Sequence, residues 1–155
     1  MKKMPPIEKI YEAYSAIADK RVVLKENSAS VFSSDRSKEY TVTWKECIYT
    51  SNDNASYWQG YAGYPMIAVL MLQGKLALNK NIAYYFKGIK WAELNVKYKA
   101  NYAKAVAEIM DSLREKGIDC DEINSEVEKV YMQIEKLDIV CKRSSIRQHL
   151  SSEAK

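Results

Sequence analysis

The spacing of apolar residues predicts a helix at the start of the chain. In residues 5–20 the apolar side chains recur at steps of three and four, which places them on one face of a helix. They are Ile7, Ile10, Tyr11, Tyr14, Ile17 and Ala18. Pro5 and Pro6 suit the first turn of a helix, where a missing backbone N–H costs nothing. We therefore expect an amphipathic N-terminal helix.

Residues 21–50 change to the pattern of β-strands. The segment 22–24 is a short apolar run, the segment 29–34 alternates, and the segment 40–44 is aromatic and β-branched. The segment 47–50 has the composition of a fourth short strand. Turn-prone residues at 26–27 and 34–37 separate these runs. The pattern predicts a small antiparallel meander of three or four strands.

The second half of the chain has a helical pattern. Pro65 opens a helix to about residue 73 that is apolar nearly all round and therefore expected to be buried. A short helix is predicted at 81–87, a long one at 91–116 and another at 121–137. The short link after Gly117 predicts that the last two helices form an antiparallel hairpin.

Together these elements predict an α+β fold with an N-terminal helix, a meander and a helical C-terminal half. Residues 1–141 are expected to form a single domain, with a final short strand at 137–141. Residues 142–155 are polar and are expected to be a frayed tail.

Cysteine content and hydropathy restrict the class of protein. The three cysteines, Cys47, Cys120 and Cys141, share no C-x-x-C spacing, so we expect no disulfide, no metal site and a cytoplasmic location. The longest apolar run, residues 66–72, is far shorter than the ~20 residues that span a membrane. The sequence contains no phosphate-binding glycine motif. We therefore expect neither a membrane anchor nor a bound cofactor.

The positive charge of the chain is concentrated in its middle. The net charge is +4, and between residues 75 and 104 there are seven lysines and one acid, Glu93. Lys90, Lys97 and Lys104 are seven residues apart, which places them in one stripe on the helix predicted at 91–116. With Lys87 they form a candidate surface for nucleic-acid phosphates. Tyr84 and Trp91 are candidates for stacking on unpaired bases. The same stripe also fits a solvated helix face or a surface for an acidic protein partner.

The loop at 51–64 is the second candidate site. Its polar residues Asn52, Asp53 and Gln59, together with Trp58, predict a possible pocket. The alternative is structural, because Tyr57, Trp58, Tyr61 and Tyr64 have the size to pack as an aromatic cluster that anchors the loop. Both interpretations remain open at this stage.

Short apolar motifs in residues 29–72 resemble a SWIM-type zinc-binding module. The strand segments 31–34 and 40–42 and the apolar run 67–70 resemble the strands and helix of that family. The family's C-x-C and C-x-H ligands align with residues 51–53 and 64–66, where only Asp53 is a passable zinc ligand. The resemblance therefore implies the arrangement of strands and helix without the zinc, and the family role is nucleic-acid or protein binding.

Catalysis has little support in the sequence. The single histidine, His149, lies in the predicted tail, where no element holds it against a nucleophile and an acid. We predict a small non-enzymatic protein that binds nucleic-acid phosphates. The alternative is an interaction module that uses the apolar seam of the C-terminal hairpin, for example to form a homodimer. A third hypothesis, an enzyme with Asp53 in a polar pocket, is the least favoured.

Overall fold

The computed structural model describes residues 1, 3–147 and the backbone of 149–150, and these residues form an α+β fold, as predicted. The helices are α1 (Lys9–Ala18), α2 (Tyr64–Leu72), α3 (Lys80–Tyr84), α4 (Trp91–Lys97), α5 (Tyr102–Glu115) and α6 (Cys120–Lys136). The strands are β1 (Val22–Leu24), β2 (Ser28–Phe32), β3 (Lys38–Lys45), β4 (Ile48–Ser51), β5 (Val140–Arg143) and β6 (His149–Leu150). A π-helical turn, Ala55–Gln59, lies between β4 and α2.

The sheet contains the predicted meander and extends beyond it. Strands β1 to β4 pair antiparallel in sequence order. Strand β5 then pairs parallel with β4, with Val140 opposite Ile48. Strand β6 pairs with the start of β3. The predicted boundary of the tail at residue 141 falls inside β5, while residues 148 and 151–155 of that tail lie outside the described residues.

Helices α1 and α2 pack against each other and form the centre of the core. Helix α2 is apolar all round and buried from Pro65 to Met71, as its sequence predicts, and it also contacts β1, β3 and β4. Tyr14 of α1 stacks on Phe86 with a ring-centroid distance of 5.8 Å. The helices and the sheet therefore share one hydrophobic core.

The prediction of one long helix at 91–116 is wrong, because the helix is interrupted between α4 and α5. Lys99 and Ala100 have φ angles of 51° and 62°, in the left-handed region that stops a helix. Asn101 then begins α5, and its side-chain oxygen accepts the N–H of Lys104 at 3.2 Å. The lysines of α4 and α5 therefore do not form one continuous stripe, and Lys104 is separate from the lysines of α4.

The apolar seam of α6 packs into the protein's own core. Asp119 caps the helix by accepting the backbone N–H groups of Asp121 and Glu122. The seam consists of Ile123, Val127, Val130 and Ile134, each at most 1% exposed. It is therefore not a free surface on which a second chain can dock. Among the helices of the described residues, none is long and apolar enough to cross a membrane.

Candidate functional site

Three of the predicted lysines line one groove, which we call the basic groove. It lies between the connection after α3, helix α4 and helix α5, and it has a volume of about 430 Å³. Its charged lining residues are Lys87, Lys90, Lys97, Lys116, Glu93 and Glu108. Four lysines face two glutamates, which gives the lining a net charge of +2.

The lysines of the basic groove differ in how far they are neutralised. Lys97 forms an ion pair with Glu108 at 2.5 Å, and the hydrogen bond between them raises the pKa of Lys97 and lowers that of Glu108. Among the described residues, no carboxylate lies within ion-pair distance of Lys87, Lys90 or Lys116. These three ammonium groups therefore carry the positive field of the groove.

The other predicted nucleic-acid-binding residues do not all join this groove. Lys104 is exposed in the first turn of α5 but is not part of the lining. Tyr84 is 63% exposed beside the groove, with the Lys87 ammonium 5.3 Å from its ring centroid. Trp91 is 3% exposed and its indole N–H donates to Ser15 Oγ at 2.7 Å, so it has no free face for a base. Tyr85 lines the groove and is 37% exposed.

The polar side chains of the loop at 51–64 hold its backbone. Asp53 is buried, and its carboxylate accepts the hydroxyl of Ser51 and the backbone N–H of Ser56, the latter at 3.1 Å. Asn52 Oδ1 accepts the backbone N–H of Thr41 at 2.8 Å, which fixes the loop to β3. These contacts are the turn-type side-chain bonds expected of such residues.

The four aromatic residues of this loop do not meet in one cluster. Tyr57 and Trp58 pack edge to face at 4.7 Å, and Arg143 lies over both rings. Tyr64 instead packs against Tyr40 of β3, with the rings perpendicular and 6.3 Å apart. Trp58 remains 67% exposed. The structure thus combines a structural polar loop with an exposed aromatic surface.

A second concave site, which we call the polar cleft, lies between α1, β3, the 51–64 loop and α4. It has two lobes, of about 230 and 350 Å³, and four residues line both of them: Glu12, Tyr40, Tyr64 and Asn95. Arg21 and Trp91 line the smaller lobe. The larger lobe is lined by three of the predicted pocket residues, Asp53, Trp58 and Gln59, together with Lys9, Tyr61 and Tyr102. Asn52 lines a separate neighbouring pocket that also touches Trp58.

Glu12 and Lys9 form a buried ion pair at the centre of the polar cleft. The carboxylate oxygen Oε1 of Glu12 lies 3.7 Å from the Lys9 ammonium, and both side chains are at most 7% exposed. Burial raises the pKa of Glu12, although Lys9 and Arg21 oppose the shift. Burial lowers the pKa of Lys9, but Glu12 and Tyr102 outweigh it, so the net shift is upward. The Lys9 ammonium also lies 3.9 Å from the Tyr102 ring centroid, a cation–π contact.

The two tyrosines at the centre of the polar cleft are neutral donors near pH 7. Burial raises the pKa of Tyr40 to about 12, and Asp53 and Glu12 add to the shift. Burial also raises the pKa of Tyr64, against the opposing effect of Arg21. Glu12, Lys9, Tyr40 and Asn95 were not among the residues that the sequence singled out. The sequence feature that could have indicated this site is the position of Glu12, an acidic residue between Tyr11 and Ala13 on a helix that buries both neighbours.

Two further findings concern metal binding and the family to which the chain belongs. Among the described residues, no three His, Cys, Asp or Glu side chains come together in a way that could hold a metal ion. The chain matches the family model described as uncharacterised conserved protein UCP014422 over residues 2–140, and it belongs to that family. No curated protein and no solved structure matches the chain.

Proposed function

We propose that the protein binds single-stranded nucleic acid, with the basic groove holding the phosphate backbone. The observation that supports this most is the convergence of Lys87, Lys90 and Lys116 on one groove, from the connection before α4 and the end of α5. Ammonium groups that neutralise phosphates release counterions, which supplies affinity without sequence readout.

The aromatic residues beside the groove favour an unpaired strand over a duplex. Tyr84 and Tyr85 are both exposed at the end of α3. A base can stack on such a ring only when it is unpaired, and stacking of this kind contributes ~1–3 kcal/mol per base. The arrangement combines a positive track with stacking surfaces, which is the usual design of non-specific single-strand binders.

The test is a titration of fluorescently labelled single-stranded DNA and RNA with the full chain at several salt concentrations. Three phosphate contacts predict that the logarithm of the binding constant falls with the logarithm of salt with a slope of about −2. The triple variant K87E/K90E/K116E should lose most of the affinity and most of this slope. Undetectable binding at roughly 50 mM salt, where phosphate contacts are strong, refutes the proposal.

A second triple variant provides the matched control. Lys25, Lys45 and Lys142 are exposed, lie on the strands and their connections, and do not line the basic groove. The variant K25E/K45E/K142E changes the net charge by the same amount, so it should retain most of the affinity. Equal losses in the two variants would show that only the overall charge of the protein matters.

A further inference from the structure

The polar cleft contains two buried acceptor oxygens that take part in no hydrogen bond. Oδ1 of Asn95 has no hydrogen bond, and Oε1 of Glu12 has only its ion pair with Lys9 at 3.7 Å. Both residues line both lobes of the cleft. Glu12 is only 4% exposed. Leaving a buried acceptor unpaired costs ~1–3 kcal/mol, and most buried polar groups in folded proteins are paired. Two unpaired acceptors on one cavity wall are therefore placed to accept hydrogen bonds from a bound molecule.

The charges that line the cleft compensate one another. Lys9, Arg21 and Lys38 contribute three positive charges, and Glu12, Asp35 and Asp53 contribute three negative charges. A strongly charged guest would lose its hydration without finding a matching excess charge. The balance therefore favours an uncharged guest that brings hydrogen-bond donors for Glu12 and Asn95.

The aromatic residues of the cleft favour a puckered ring over a flat one. Tyr40 and Tyr64 stand at 90° to each other, so these two rings cannot both stack on one flat guest. A nucleobase stacks best between parallel faces, which this wall does not offer. Trp58 lies on the larger lobe, where Tyr57 and Arg143 contact its ring. It is still 67% exposed, and this exposed part provides an apolar surface at the opening.

The spacing of Lys9 and Glu12 suits a hydroxyl group. Their charged groups lie 3.7 Å apart, too far for a hydrogen bond but close enough for one small group to contact both. A hydroxyl accepts a hydrogen bond from an ammonium group and donates one to a carboxylate at the same time. A carbonyl of an uncharged molecule performs only the accepting half of this exchange.

We propose that the polar cleft binds an uncharged sugar ring, whose hydroxyls donate to Glu12 and Asn95 and accept from Lys9. One face of the ring packs on Trp58 or on the tyrosines of the shared wall. The site is separate from the basic groove, because Trp91 and Asn95 of α4 line the cleft while Glu93 and Lys97 line the groove. The proposal therefore does not depend on nucleic-acid binding.

The experiment measures binding of neutral monosaccharides and their disaccharides to the full chain by saturation-transfer NMR and calorimetry. The panel contains hexoses, pentoses and N-acetylhexosamines, and uncharged nucleosides serve as the comparison. At least one sugar should bind, and the variants N95A and W58A should each weaken that sugar at least tenfold. W58A is the safer variant for folding, because this side chain is largely exposed.

Two controls separate this site from the rest of the protein. E93Q alters an exposed residue of α4 that lines the basic groove and not the polar cleft. This variant should leave the sugar affinity unchanged. The triple variant K87E/K90E/K116E should also bind the sugar normally, even where it loses nucleic acid.

Three results would overturn the proposal. The first is that no sugar in the panel binds up to about 50 mM, well beyond the millimolar range expected for one small ring. The second is that the nucleosides bind and the sugars do not. The third is sugar binding that N95A and W58A leave unchanged.

Discussion

The replacement of Gly63 by alanine tests how tightly the loop at 51–64 is built around Asp53. The backbone of Gly63 has φ −75° and ψ 175°, a conformation that alanine adopts freely. A Cβ atom at this position, however, would overlap Oδ2 of Asp53 and lie 2.9 Å from its Cγ. The carboxylate must therefore move, so the cost of the substitution is steric rather than conformational.

The size of this cost follows from the contacts that Asp53 would lose. Its carboxylate accepts the Ser51 hydroxyl and the Ser56 N–H, and a hydrogen bond to a charged group contributes ~1.5–3 kcal/mol. Loss of both bonds predicts that G63A lowers the free energy of unfolding by about 4 kcal/mol. In a chain of this length, that corresponds to a decrease in Tm of about 10 °C.

The assay is urea denaturation of G63A, D53A and the double variant, with unfolding monitored by circular dichroism. G63A should be nearly neutral in the D53A background, because the clashing carboxylate is gone. G60A is the matched control: Gly60 has φ +75° and open space around it, so only the backbone penalty of about 1 kcal/mol applies. A G63A cost that persists in D53A would refute the steric reasoning.

Three further predictions concern the core and the polar cleft. W91F removes the hydrogen bond from the indole to Ser15 Oγ, which contributes about 1 kcal/mol, and leaves space where the buried indole packed, so it should cost more than about 1 kcal/mol in guanidinium denaturation. An unchanged midpoint would contradict this. I134A should cost ~2–5 kcal/mol and M132A less than about 0.5 kcal/mol, and similar costs in urea denaturation would show that the α6 seam is not core. Burial raises the pKa of Glu12 above its ordinary 4.5, so its stabilising contribution is present below that pH and is lost as pH rises through the folded pKa. The stability of E12Q relative to wild type should therefore increase as the pH rises above about 4.5, and parallel pH profiles in thermal denaturation would contradict this.

The elements that sequence patterns predicted are those whose signals are local. Helix α1, the meander and α2 each have an apolar period or a β-branched run that fits one conformation. The break at Lys99 and Ala100 has no such signal, because lysine and alanine are both good helix formers. Only Asn101, a preferred N-cap residue, marks the start of α5 in the sequence.

The two candidate sites were predictable to different degrees for the same reason. Charge density in residues 75–104 pointed to Lys87, Lys90 and Lys97, but Lys116 joins the groove only through the packing of α5 on α4. The pair Lys9 and Glu12 has the spacing of an ordinary surface ion pair on a helix. Its burial depends on Tyr64 and Tyr102, which are distant in the chain, so no local pattern could have revealed the polar cleft.

The parallel pairing of β5 with β4 has a consequence for how the protein acquires its fold during synthesis. About 90 residues separate Ile48 from Val140, its partner in the sheet. The hydrogen-bonding edge of β4 therefore stays open on the ribosome at least until residue 140 has been made. Contacts this far apart in sequence slow folding, so closure of this edge should be the late step. Nascent chains that stop short of residue 140 would expose the edge to intermolecular strand pairing, the route by which incomplete sheets aggregate.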